Sequence, residues 1–239
     1  SQGFSNYNSL QLTAVHSYRN GLTAQMNYAF SHALSDTQAF SQSVLFASVV
    51  TSQLSTLEYS NSDLDQRHRI TMVLNYALPF AERTHGFTRV LLHGWQVNAL
   101  DVWATGLPFT VTNATARTNT GAGSDRPNQL ANANLSNPTL TRAFDASQFA
   151  AQTFGTVGTA RRASVYGSHL RHFDASVFKD FKVSERATLQ MRAETFNLTN
   201  TPNFGTPGAT LGTSTFGQIT ATRLGSTPRQ MQFAARVRF

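Results

Sequence analysis

Two histidines three residues apart are the first place to look for chemistry. His169 and His172 enclose Leu170 and Arg171. On a helix that spacing could offer both imidazoles to one metal ion. The flanking residues read instead as the onset of a strand, where positions three apart face opposite sides. No third ligand lies near in sequence, so no metal is expected. A serine hydrolase of the common α/β type needs its nucleophile in a Gly-x-Ser-x-Gly turn, and that pattern is missing. The chain has no cysteine, which excludes a disulfide framework, a thiolate metal site and a cysteine nucleophile. The expectation is a protein that is not an enzyme, with no catalytic residue and no cofactor.

The other chemistry-bearing residues come in alternating rows. Gln190, Arg192 and Glu194 alternate with Leu189, Met191 and Ala193. Gln230, Gln232, Arg236 and Arg238 alternate with Met231, Phe233, Ala235, Val237 and the last residue, Phe239. A strand sends successive side chains to opposite faces, so each segment has one oily face and one polar face. A soluble edge strand of this kind would leave a sticky face and an unpaired backbone edge. A membrane barrel removes both problems, because lipid covers the oily face and closure removes the edge. The polar rows then line a lumen. There Arg192, Glu194, Arg236 and Arg238 are expected to form an ion-pair network out of lipid, where arginine costs roughly 2–4 kcal/mol at the midplane. The sharper alternative is a surface that touches a plug or an anionic solute.

The elements that position these rows repeat along the chain. Leu10, Leu12 and Ala14 alternate with small polar residues, and Asn20-Gly21 signals a hairpin. The return strand carries Leu22, Ala24, Met26, Tyr28 and Phe30 on one face. A third strand, 67–78, ends at Pro79. A fourth, 95–104, alternates except that Asp101 shares the face of Trp95, Val97, Ala99 and Trp103; a bulge or a shift of face near Leu100 would repair the pattern. Strands near 172–181, 189–194 and 230–239 complete about seven. Short or medium connections alternate with long ones at 31–65, 112–171 and 198–228. The longest, 112–171, reads as structureless, rich in Asn, Thr, Ala, Gly and Ser, and argues against a compact soluble domain. Apolar patch 44–50 fits either a helix or a strand. Asn-x-Ser/Thr triplets at Asn113, Asn134 and Asn197 read as loop composition rather than glycosylation acceptors.

Bulk properties fit this picture. Charged residues are only 13% of 239, where about 25% is usual in a soluble domain. Mean hydropathy is −0.26. No apolar run approaches the ~20 residues of a membrane helix. Net charge is +7, but the basic residues are scattered, so no nucleic-acid partner is expected; anionic lipid or solute suits the charge equally well. No signal peptide is visible at the start, which for an exported protein implies a piece of a larger gene product. The fold class expected is all-β: a portion of an antiparallel up-and-down transmembrane β-barrel with long extracellular loops and short periplasmic turns. A soluble β-sandwich binding module is the alternative from outside the membrane.

Several segments together resemble the carboxyl-terminal part of the barrel of a TonB-dependent outer-membrane receptor, in the subgroup with a carboxypeptidase-regulatory-like amino-terminal domain. They are Asp63-Leu64-Asp65-Gln66-Arg67-His68-Arg69, Gly94-Trp95-Gln96, Thr105-Gly106-Leu107-Pro108-Phe109, Asp125-Arg126-Pro127-Asn128, the run from Phe173 to Phe181, the run from Arg192 to Asn200, and Pro228 to Phe233. They occur in family order over nearly the whole chain. The resemblance implies that residues 1–239 are the last strands of a bacterial outer-membrane barrel, with the plug and earlier strands absent. It implies energised uptake of a bulky, unidentified substrate, with the TonB system engaged through that plug. It also implies that Phe233, Ala235, Val237 and Phe239 form the terminal signal read by the barrel assembly machinery. A surface adhesin or structural barrel whose loops bind glycans is the alternative function.

Overall fold

The structure, a computed structural model, describes residues 4–18, 21–36, 58–81, 84–119 and 125–239. Its frame is a run of long strands: β1 (Ser5–Ser17), β2 (Leu22–Ser35), β3 (His68–Ala77), β4 (Trp95–Ala104), β5 (Leu170–Lys182), β6 (Thr188–Phe196) and β7 (Gln230–Arg238). Each is antiparallel to the next, so sheet order follows chain order. An eighth member, the two-residue strand Ser60–Asn61, pairs with the far end of β2. It lies inside the polar connection 31–65, outside the one patch there that the sequence marks as a helix or a strand. The patch 44–50 and Asn20 lie outside the described residues. Gly21 is described, with φ +83, and a Cβ there would meet the Ala77 carbonyl oxygen at 3.0 Å.

Cross-strand register makes the two faces uniform. Leu22, Tyr76, Val97, Val177, Ala193 and Phe233 form one row across six strands. The adjacent row, on the opposite face, is Thr23, Asn75, Asn98, Ser176, Glu194 and Gln232. A slip of one residue in any strand would break both rows, because side-chain direction has a period of two. The expected repair at Asp101 is not present. The ladders of β4 with β3 and with β5 run unbroken through Leu100, Asp101 and Val102. Asp101 therefore stays on the apolar face, beside Met72 and Phe173, because pairing on both sides fixes its strand.

Two connections differ from the sequence reading. The one between β3 and β4 contains a helix, α1 (Gly86–Leu92). Its apolar spacing spans only seven residues, too short a window for periodicity to stand out. The stretch 112–171 is not structureless. It folds over its own apolar cluster, Val111, Ala133, Ala143, Phe144, Phe149, Ala160 and Val165, with Phe216 and Ile219 of the last long connection packed against it. Phe144, Phe149 and Phe216 meet edge to face, with centroids 5.2–6.0 Å apart. Isolated short pairings, Phe109 with Val165 and Thr112 with Thr210, stitch this layer. It sits at one end of the sheet, so the protein is a curtain of strands with a folded cap.

Candidate functional site

Where the cap meets the sheet, three long connections converge on buried polar hubs. Asp65 has a fully buried side chain. Its Oδ1 accepts from the Ala33 amide at 2.8 Å and contacts His32 Nδ1 at 3.2 Å. Its Oδ2 accepts from Arg67 Nε and from the Tyr166 hydroxyl, each at 2.9 Å. Burial pushes the Asp65 carboxyl up; the Ala33 amide, His32, Tyr166 and the Arg67 charge outweigh it, and the carboxyl ends below its ordinary value. Burial likewise raises the Tyr166 phenol. Both Asp65 oxygens are occupied, so the residue is built to hold loops together rather than to accept a substrate proton.

A second hub is Asp125. It accepts from Asn113 Nδ2 at 2.6 Å, Gln152 Nε2 at 3.0 Å and the amide of Thr118 at 2.8 Å. Burial raises this carboxyl too, and these bonds, with that from the Arg117 amide, bring it below normal. Next to it, Arg126 pairs with Glu58. Arg162, 1% exposed, donates to the Ser35 carbonyl and hydroxyl and lies 3.6 Å from Asp63. Burial lowers the Arg162 guanidinium, against the pull of Asp63 and Glu58. Gly106 fits for a steric reason: a Cβ there would lie 1.9 Å from the Gly167 carbonyl oxygen. A hollow of about 650 Å³ opens at this junction, lined by Phe30, Arg67, His68, Trp103, Tyr166 and His169.

The triplet asparagines are structural. Asn113 is spent on Asp125 and Gln152. Asn134 donates to the Ser164 carbonyl and accepts from the Tyr166 amide. Asn197, 2% exposed, donates to the carbonyls of Thr201 and Thr227 and accepts from the Thr201 amide. Sequence reasoning missed these roles because the partners lie in long connections that carry no periodic signal. His172 does not join His169: its Nε2 is 3.0 Å from Asp174 Oδ2 on the polar face. Among the described residues no three His, Asp or Glu side chains gather at metal-binding spacing.

On the sheet, Gln190, Arg192, Glu194, Gln230, Gln232, Arg236 and Arg238 share one face by register. Their contacts differ from the expected ion pairs. Glu194 accepts from Gln232, Arg192 Nε donates to Gln190 Oε1 at 2.8 Å and lies over the Phe178 ring, and Gln190 Nε2 donates to Asp180 Oδ1 at 2.8 Å. Amides do the bridging because register sets Glu194 directly opposite Gln232 and Gln190 opposite Arg236. On the other face Phe233 is 77% and Phe239 98% exposed. Met26, Phe30, Met72, Leu74, Val177 and Met191 are exposed as well. One side of the whole sheet is therefore an uncovered apolar belt, far beyond the patch size that water tolerates on a monomer.

An antiparallel meander with one apolar face, one polar face and long loops at one end has the makings of the outer-membrane barrel class. The family model of an outer membrane beta barrel domain matches residues 1–232. The chain belongs to that family and resides in the bacterial outer membrane. Comparison with curated proteins and with solved structures returns no match.

Proposed function

We propose that this chain forms the closing strands of the wall of a TonB-dependent receptor that takes up a bulky nutrient. The observation that carries the reading is where the family-like segments fall. Asp65 and Arg67, Gly106, Asp125 and Arg126, and Asn197 belong to segments that resemble such receptors in order; Asp65, Arg67 and Gly106 sit where the cap meets the sheet, Asp125 and Arg126 hold the connections of the cap together, and Asn197 ties the two ends of the last long connection. A rigid cap at the loop end is what a receptor needs to present a fixed surface to a large ligand. In this reading the loop end faces outward and the end bearing the 183–187 turn faces the periplasm. Gln190, Arg192, Glu194, Gln230, Gln232, Arg236 and Arg238 line the lumen, where a plug would sit. Phe233, Ala235, Val237 and Phe239 serve as the signal for the barrel assembly machinery. Further strands join at β1 and β7, each of which has a single long-strand neighbour among the described residues.

The test is uptake in the native organism. Deleting the gene should abolish growth on at least one nutrient too large for general porins, and removing TonB should abolish the same growth. Growth lost with the gene but unaffected by removal of TonB would end the receptor reading and leave the barrel intact.

A further inference from the structure

We infer that α1 is a membrane anchor lying in the phospholipid leaflet beside the short-turn end of the barrel. The helix is short, with Phe87, Val90 and Leu91 at i, i+3 and i+4 on one side and Arg89 on the other. None of its residues is buried; Phe87 is 80% exposed and Val90 and Leu91 more than half. A single two-turn helix is marginal in water and needs a surface to hold it.

Two side chains show which surface that is. Trp95 Nε1 donates to the Leu91 carbonyl at 3.0 Å, and Lys179 Nζ donates to the His93 carbonyl. Trp95 and Lys179 are register partners on the apolar face. The end of α1 is therefore fastened on the lipid side of the sheet, away from the lumen. Lys179 is a charged residue in the oily row, yet it is 4% exposed and lies over the rings of Trp95 and Phe181, 5.6 and 4.9 Å from their centroids. It reaches toward the end of the sheet, as lysines do at a membrane interface, and uses its proton to hold the helix. Tryptophan and phenylalanine at this level match an interfacial girdle. The apolar stripe of α1 continues the belt of the sheet, and Arg89 suits anionic head groups. The occupant is the phospholipid that already covers the belt.

This inference depends on the belt facing lipid, and the experiment separates the two. The chain has no cysteine, so single cysteines can carry spin labels. The full chain is refolded into vesicles of phosphatidylethanolamine and phosphatidylglycerol, with labels at Phe87→Cys, Val90→Cys, Leu91→Cys and Arg89→Cys, and at Met26→Cys as the belt reference. Collisions with oxygen, which enters hydrocarbon, are compared with those of a nickel chelate, which stays in water. Oxygen should dominate at 87, 90 and 91 as at 26, and nickel at 89. Nickel dominating at 87, 90 and 91 with oxygen still dominating at 26 overturns the anchor and spares the belt. Exclusion of both reagents from 87, 90 and 91 also overturns it, because protein then covers the helix. Nickel dominating at 26 as well removes the belt and the anchor together.

Discussion

The row Leu22, Tyr76, Val97, Val177, Ala193 and Phe233 in the sheet and the cluster around Phe144 in the cap are both apolar, and they are solvated in opposite ways. The sheet row lies on the open apolar face, the face that a membrane barrel turns to acyl chains. Phe144 is 1% exposed, among Val111, Phe149 and Phe216. The sheet is held by backbone ladders between neighbours in sequence order. The cap is held by a small core and by polar side chains reaching across the chain, such as Tyr166 to Asp65, 101 residues away. The sheet thus needs a lipid solvent, and the cap carries its own interior. Damage to one should leave the other standing.

The largest effect is expected from Asp65→Ala. It strands Arg67, His32, Tyr166 and the Ala33 amide, and each hydrogen bond lost from a charged group costs about 1.5–3 kcal/mol. Hydrogen exchange should speed up at 60–67 and 163–167 and stay slow in β5 and β6; uniform protection throughout would refute a separately held cap. Phe144→Ala should loosen the cap by about 3 kcal/mol through loss of a buried ring. Protease nicking within 130–165 is the readout, with heat-modifiable migration of the barrel unchanged.

The sheet is tested by a pair of substitutions. Met191→Arg places a charge in the belt and should cost roughly 2–3 kcal/mol in denaturant unfolding from vesicles. Gln190→Arg on the other face keeps Asp180 as a partner and should cost less than about 1 kcal/mol. Equal costs would mean that the faces are wrongly assigned.

Acid should act on the cap alone, and less strongly. The Asp65 and Asp125 carboxyls lie below the ordinary value of 3.8 in the folded state. A lowered folded pKa contributes stability above the unfolded value and loses it as pH falls through the folded one. Cap amides should therefore lose protection below about pH 4 while sheet amides do not. The smallest change in stability is expected on deleting Phe239, which is 98% exposed: within about 0.5 kcal/mol. Its outer-membrane level should nevertheless fall, measured by surface labelling against total synthesis. Unchanged levels would remove the assembly role.

The strands were open to reading because their signal is local. Leu189, Met191 and Ala193 alternate with Gln190, Arg192 and Glu194 whatever surrounds them, since the backbone alone sends neighbours to opposite sides. Asp101 shows where that reading fails. The sequence pattern calls for a bulge or a shift of face, and the paired ladders on both sides keep the strand regular. The cap gave no periodic signal at all. Its asparagines and aspartates looked like turn composition, because their partners lie 12 to 30 residues away in sequence.

Order in the sequence alone therefore determined the strands, their two faces and a membrane solvent for one of them. The tertiary structure decided the rest: that the long connections form one folded layer, that Asp65, Asp125 and Asn197 are its hubs, and that α1 is tied to the oily side. The division has a physical cause. Alternation is a property of each backbone segment, whereas a hub exists only once chain closure has brought distant donors to one carboxylate or amide.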